Sequence, residues 1–344
     1  MDLNIALILL QDGLVNGAIY ALLALSLVMV FTVTRVIFIP QGELVAFAAL
    51  TYAALNTGQV PGSIWLMATL GAGAFAMAVT QDRHTLTRRS LGLLALECLA
   101  LPAIIILLVR GVAPSKPGVL TAAVLTIAIV TPMAPYLYRL AFQPLAEASV
   151  LVLLIAAVGV HLALVGTGLV VFGPEGFRGT PLGTTPLVLG SQTIPGQALA
   201  IGALTAVLMG VLALFFGRTL TGKALRAVAV NRLGASLVGI GPARSGRIAF
   251  TLAGGIGALS GVLIAPLTTI YYDSGFLIGL KGFVAAIIGG LLSYPIAVGA
   301  ALLVGCVESL SSFYVSAFKE VIVFTTIIPV LLWRSLRSPA EEEE

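Results

Sequence analysis

Gly222 to Ile240 read GKALRAVAVNRLGASLVGI, a long polar and basic segment set between two strongly apolar spans. With Arg218 before it and Arg244 and Arg247 after it, residues 218–247 hold six Lys or Arg and no acid. Lys and Arg accumulate on the inner side of membrane proteins, so the segment reads as a cytosolic loop. The rest of the chain agrees. Of 344 residues, 59% are hydrophobic and only 9% charged, with a mean hydropathy of +1.11, whereas soluble domains are about half apolar and a quarter charged. The fold class expected is an all-α, polytopic transmembrane helical bundle.

A bilayer core of about 30 Å takes about 20 apolar residues per helix. Candidate spans cover 13–34, 43–57, 62–80, 91–109, 119–138, 149–172, 195–216, 247–270, 280–292, 296–314 and 318–333, giving about 9–11 crossings of that length. Segments 43–57 and 280–292 are short and flanked by glycine, which predicts broken or re-entrant helices; such backbone is tolerated only when buried in protein or lining a cavity. Placing 218–247 inside and alternating outward puts 13 of the 18 basic residues inside and 5 outside. This predicts an N-terminus outside and a C-terminus in the cytoplasm.

The Gly-, Pro- and Thr-rich stretch 173–194 is too polar to cross and is expected as an external connection. The terminal EEEE reads as an acidic tail. The start, MDLNIALILL, lacks a positive region and a small-residue cleavage site, so a cleaved leader is not expected. Cys98 and Cys306 lie in apolar stretches without metal or redox spacing and read as buried thiols. The net charge of +4 does not point to nucleic acid, because the basic residues sit between spans rather than on one face.

Gly217 to Ala224, GRTLTGKA, nearly matches a phosphate-binding loop, but Ala224 lacks the hydroxyl that would hold magnesium and an apolar helix rather than a strand precedes it. Within 222–240, Leu225, Ala229, Leu233 and Leu237 recur every four residues and predict one apolar helical stripe, interrupted at Gly234 and Gly239 into two short pieces. The pattern fits a partner-docking segment and a basic amphipathic loop on a lipid surface equally well. Gly13-x-x-x-Gly17 and Gly257-x-x-x-Gly261 predict close helix packing within the chain. His161 stands alone in an apolar helix and reads as a structural, hydrogen-bonded residue.

Polar residues inside a membrane are costly and mark function. Asn16, Gln41, Glu43, Lys281 and Glu308 are the candidates for a translocation path, with Gln11 and Glu97 further intramembrane polar positions. Glu43 follows Pro40-Gln41-Gly42 and also suits a helix N-terminus. Glu308, in GCVESLSS, is expected to face a cavity or a subunit interface. No Ser/His/Asp set, carboxylate pair or metal-ligand spacing stands out in the sequence, so a transport role without covalent chemistry, metal or cofactor is expected.

Several blocks resemble the permease subunits of branched-chain amino-acid ABC importers. These are GLVNGAIYALLALSLVMVFTVTRVIFIPQGE at 13–43, YRLAFQP at 138–144, the basic segment 222–240, LKGFVAAIIGG at 280–290 and VESLSS at 307–312. The resemblance implies a single permease domain over 1–344 in a bacterial inner membrane. It also implies a second permease subunit, two cytosolic ATPase subunits and an extracytoplasmic substrate-binding protein as partners. On it, 218–247 is a coupling loop in which Gly222, Lys223, Arg226, Asn231, Arg232, Ala235 and Gly239 contact or shape the ATPase-docking segment.

Two departures stand out. Phe38-Ile39-Pro40 replaces the family's Asn-Phe-Ala, and Gly289-Gly290 is followed by Leu291-Leu292-Ser293. Both put the ordinary substrate in question and admit an aromatic acid, urea or an amide instead. Residues 62–135 hold about three spans where the family has one, by span length, so two extra helices are expected there, joined by the basic QDRHTLTRRS at 81–90. A membrane scaffold or enzyme whose basic loop binds lipid remains the alternative from another class.

Overall fold

The computed structural model describes residues 3–81, 88–189 and 192–337. The acidic tail 341–344 and residues 82–87 of the basic connection lie outside them. The helices are α1 (Leu3–Thr34), α2 (Gln41–Asn56) and α3 (Ser63–Gln81), then α4 (Arg88–Ala95), which runs through a π turn at Leu96–Ala100 into α5 (Leu101–Val112). Next, α6 (Val119–Val130) leads into α7 (Met133–Leu137) and a second π turn at Tyr138–Phe142. The second half holds α8 (Val150–Phe172), α9 (Gly196–Arg218), α10 (Leu220–Val230), α11 (Arg232–Leu237) and α12 (Pro242–Ile264). It ends with α13 (Ser274–Ile288), α14 (Tyr294–Tyr314), α15 (Lys319–Thr325) and α16 (Ile327–Arg337). Strands β1 (Leu187–Leu189) and β2 (Gln192–Ile194) form an antiparallel hairpin.

Among the described residues, eight helices or joined helices are long and apolar enough to cross a bilayer. The expected all-α bundle is present, and the two suspect segments are short. α2 has 16 residues and α13 has 15, so each rises only about 24 Å or less. The segment expected at 280–292 begins earlier, at Ser274, and the single span expected over 318–333 is two helices broken at Thr326. Pro329 lies one turn into α16, where its missing N–H costs little.

The bundle has two distinguishable ends. β2 touches the start of α1 through Gln192 Nε2, which donates to Asn4 Oδ1 at 3.3 Å. Near it, Arg178 donates to the carbonyls of Pro266 and Leu267 just past α12. This is the hairpin end. At the other, basic end, Val33 near the close of α1 packs with Leu225, Val228, Ala235 and Ala249.

α1 is apolar on most sides beyond its first half, as suits a helix enclosed by others, and it lies antiparallel to α14. A Cβ on Gly13 would stand 2.7 Å from Cys306 Cα, and one on Gly17 2.8 Å from Leu302 Cα. The predicted close packing is therefore within the chain. Gly261 does the same beside the Val45 carbonyl, where a Cβ would clash with the oxygen.

α1 stops at Arg35, whose φ of +62° turns the chain back. Residues 36–40 then re-enter the protein without helix, with Val36 and Phe38 buried, and α2 starts inside the bundle. The first turn of α2 meets the first turn of α13, so closely that a Cβ on Gly42 would collide with the Gly275 carbonyl oxygen. From that junction the two run apart. α2 heads for the hairpin end, where Tyr52 Oη donates to the Thr180 carbonyl at 2.9 Å, and α13 ends with Gly289 against Ala297 of α14. The glycine-bounded shortness in the sequence thus reflects two helices that begin back to back in the interior, where other helices cover the interrupted backbone.

Candidate translocation cavity and docking face

At the hairpin end, α1, α13, α14 and α15 enclose a cavity of about 540 Å³. Lys281, on α13, is buried among acids: its Nζ lies 2.5 Å from Glu308 Oε1 and 3.2 Å from Glu320 Oε1. Glu308 Oε2 accepts a hydrogen bond of 2.6 Å from Tyr20 Oη. Both oxygens of Glu308 are therefore satisfied, which is what a buried carboxylate requires. Glu320 Oε2 is shielded from solvent and has no partner among the described residues. Asp12 and Asn16 add polar groups to the wall, and Leu9, Ile264, Leu277 and Phe313 add apolar surface. Such a lining can hold an amine against carboxylates and a carboxylate against Lys281, with room for an apolar group.

Three of the five candidate path residues, Asn16, Lys281 and Glu308, thus share one cavity. Gln41 and Glu43 do not join them. Gln41 Nε2 donates to the Ala253 carbonyl at 2.9 Å, tying the start of α2 to α12, although its Oε1 is buried without a partner. Glu43, fully buried in the first turn of α2, has its Oε1 2.8 Å from His161 Nδ1. His161 is hydrogen-bonded as expected, but its partner lies 118 positions away and no local spacing announces it. Asp12 and Tyr20 were missed in the sequence, although their spacing of four on either side of Asn16 puts all three on one face of α1. Glu320 had no comparable signal.

Phe38 does not reach this cavity. It sits in an aromatic cluster, 4.7 Å from Phe250 and 5.9 Å from Phe142 by ring centroids. The departure from the family pattern at 38–40 is therefore filled by packing. Cys306, read as buried, is only half-buried, although its backbone packs against Gly13 of α1; Cys98 is buried and accepts from Arg139 Nη1 at 3.3 Å.

At the basic end the two short helical pieces are present, but they divide at Asn231 rather than at the glycines. Thr219 caps α10 by accepting from Gly222 N at 3.0 Å, so GRTLTGKA is the junction of α9 and α10. Asn231, in extended conformation, caps α11 by accepting from Gly234 N at 2.8 Å. That bend breaks the expected stripe: Leu225 is buried, while Leu233 and Leu237 are 73% and 79% exposed.

The seven candidate docking residues consequently fall into two groups. Lys223, Arg226, Asn231 and Ala235 line an open groove with Val230, Gly234 and Val238. Gly222 packs under the Phe215 carbonyl, and Arg232 Nη1 donates to the Ala146 carbonyl at 2.9 Å. Gly239, with φ +84°, lets the chain leave α11.

The family model for the branched-chain amino acid transport system / permease component matches residues 9–331. The chain belongs to that family. It is 32% identical over 207 residues to the high-affinity branched-chain amino acid transport system permease protein LivH of Salmonella typhimurium, and 31% identical over 201 residues to LivH of Escherichia coli. Each alignment covers 56% of this chain and 65% of the relative. BraD of Pseudomonas aeruginosa, named as a permease protein of the same kind of system, is 30% identical over 244 residues, covering 69% of this chain and 79% of BraD. Together with the eight long apolar helices, membership of this permease family makes the chain a multi-pass integral membrane protein.

Proposed function

We propose that the chain is a permease subunit of an ATP-driven importer in a bacterial inner membrane, carrying branched-chain or other hydrophobic amino acids. The single observation behind the substrate class is the hairpin-end cavity, which sets Lys281 among Glu308, Glu320 and Asp12 beside apolar walls. A zwitterion with an apolar side chain matches that lining in both charge and surface. A neutral amide or urea would bring no cation to Asp12 or to the unpartnered Glu320 oxygen, and no apolar group to the walls.

On this reading, a second permease subunit, identical or homologous, completes the path, and an extracytoplasmic binding protein delivers substrate at the hairpin end. Two cytosolic ATPase subunits carry out ATP hydrolysis. α10 and α11 press into one of them, with Lys223, Arg226 and the exposed Val230 and Val238 on the contact. Closure of the ATPase pair then moves α10 and α11 together with the ends of α1 and α12 to which they are packed. Residues 62–135 contribute two helices added to the family core.

Uptake of radiolabelled leucine, phenylalanine and urea into proteoliposomes holding the full complex tests the reading. ATP-dependent leucine uptake supports it. Uptake of urea in preference to every amino acid, or uptake without ATPase subunits, rejects it.

A further inference from the structure

A second polar cavity, of about 500 Å³, lies at the basic end. Its walls come from the joined helix α4–α5, from the segment running α6–α7 into its π turn, and from the first turns of α12. Three arginines, Arg139, Arg244 and Arg247, line it against a single described carboxylate, Glu97. None of the three forms an ion pair among the described residues. Arg139 and Arg247 are half-buried and held inward, whereas Arg244 and Glu97 are exposed at the mouth.

Both π turns found among the described residues meet here. Leu96–Ala100 supplies Glu97 and Cys98, and Tyr138–Phe142 supplies Arg139. They are stitched together by Tyr136 Oη, donating to the Glu97 carbonyl at 2.6 Å, and by Arg139 Nη1 on Cys98 Sγ. π turns are rare, destabilising insertions that concentrate at functional sites, and two facing one cavity hold Arg139 away from ordinary helical register. Of the remaining wall, Leu101, Pro132, Pro135 and Ile248 are apolar, and Thr131 and Thr251 add hydroxyls. Leu93 and Leu96 on the adjoining outer face are 57% and 60% exposed.

We propose that this cavity binds the phosphate of an anionic phospholipid. Arg139, Arg244 and Arg247 hold the headgroup through charge-assisted hydrogen bonds, and an acyl chain lies along Leu96 and Leu101. A free phosphate offers the same anion, but the apolar wall and the exposed leucines beside the mouth favour the lipid. The additional helix α4–α5 thereby closes a lipid pocket against α12, directly behind the basic loop. The site stands independently of the substrate carried.

The test uses the full chain purified in detergent and titrated with short-chain phosphatidylglycerol, short-chain phosphatidylcholine and inorganic phosphate, with binding read by native mass spectrometry and thermal shift. Phosphatidylglycerol is expected to bind about 25-fold tighter than phosphatidylcholine, and paired Arg244→Gln and Arg247→Gln substitutions to remove about that factor, since each basic group near a membrane surface contributes roughly a fivefold gain. Arg139 is kept out of the variant because it also braces Cys98. Glu97→Gln, which removes the lone described carboxylate while leaving its backbone carbonyl bond to Tyr136, is expected to tighten binding. Equal binding of the two lipids, inorganic phosphate binding as tightly as phosphatidylglycerol, or unchanged binding in both variants would each overturn the proposal.

Discussion

The two polar cavities hold their charges in opposite ways. At the hairpin end, Lys281 is sandwiched between Glu308 and Glu320, and Tyr20 completes the set, so the protein supplies its own counter-charges. At the basic end, three arginines face one carboxylate without an ion pair among the described residues. The first arrangement is internally matched and costly to disturb, because removing Lys281 strands the buried Glu308 in low dielectric. The second is unmatched and tolerates loss, because Arg244 and Glu97 at its mouth are exposed and Arg139 and Arg247 are only half-buried. The position of charge in a membrane protein is therefore less informative than whether it is matched.

Removing Lys281 gives the largest expected loss. Lys281→Met leaves two carboxylates facing each other and should cost about 3–5 kcal/mol, as broken buried pairs do, read as a fall in the detergent unfolding midpoint. Adding Glu308→Gln to that variant should restore part of the loss. If Lys281→Met were neutral, the internal matching of charges in the hairpin-end cavity would be disproved.

The next effect lies at the junction of α2 and α13. Gly42→Ala pushes a methyl into the Gly275 carbonyl oxygen, and should lower stability by about 1–3 kcal/mol through overpacking. Gly202→Ala in α9, where nothing lies within 4 Å, is the control; helix propensity makes it neutral or stabilising by up to about 1 kcal/mol. Equal responses at the two positions would argue against the close approach of the short helices.

At the basic end the stability changes shrink. Asn231→Ala removes the α11 cap and should cost about 1 kcal/mol, loosening α11 specifically in hydrogen exchange. Val230→Asp with Val238→Asp changes side chains that are 86% and 75% exposed, so stability should move by no more than about 0.5 kcal/mol. Co-purification of the ATPase subunits should nonetheless fall sharply. Retained assembly with full transport would remove these side chains from the proposed contact.

Much of the fold was legible because each span must bury its backbone within itself, and about 18 or more apolar residues in a row leave few alternatives. The short segments were legible too, through glycine at their borders. Their mutual contact was not, because Gly42 and Gly275 meet across more than two hundred residues. Of the α1 wall of the cavity only Asn16 stood out in the sequence; Asp12 and Tyr20, four residues to either side, were passed over although they share its helical face. Lys281 and Glu308 could be suspected singly, but their pairing, and the recruitment of Glu320 from α15, depend on how α13, α14 and α15 pack. The apolar stripe expected on 222–240 failed for a local reason: Asn231 caps a new helix and rotates Leu233 and Leu237 outward.

By itself, the sequence determined that this chain crosses a membrane many times, which segment carries its excess positive charge, and which family pattern it follows. These are consequences of hydropathy and of local order along the chain. Only the tertiary structure decided which polar residues meet, that Glu43 belongs with His161 rather than with the cavity, and that the arginines at the basic end gather without ion-pair partners among the described residues. Such pairings depend on distances between helices, and helix packing is set by side-chain shape on faces that one-dimensional spacing does not orient toward one another.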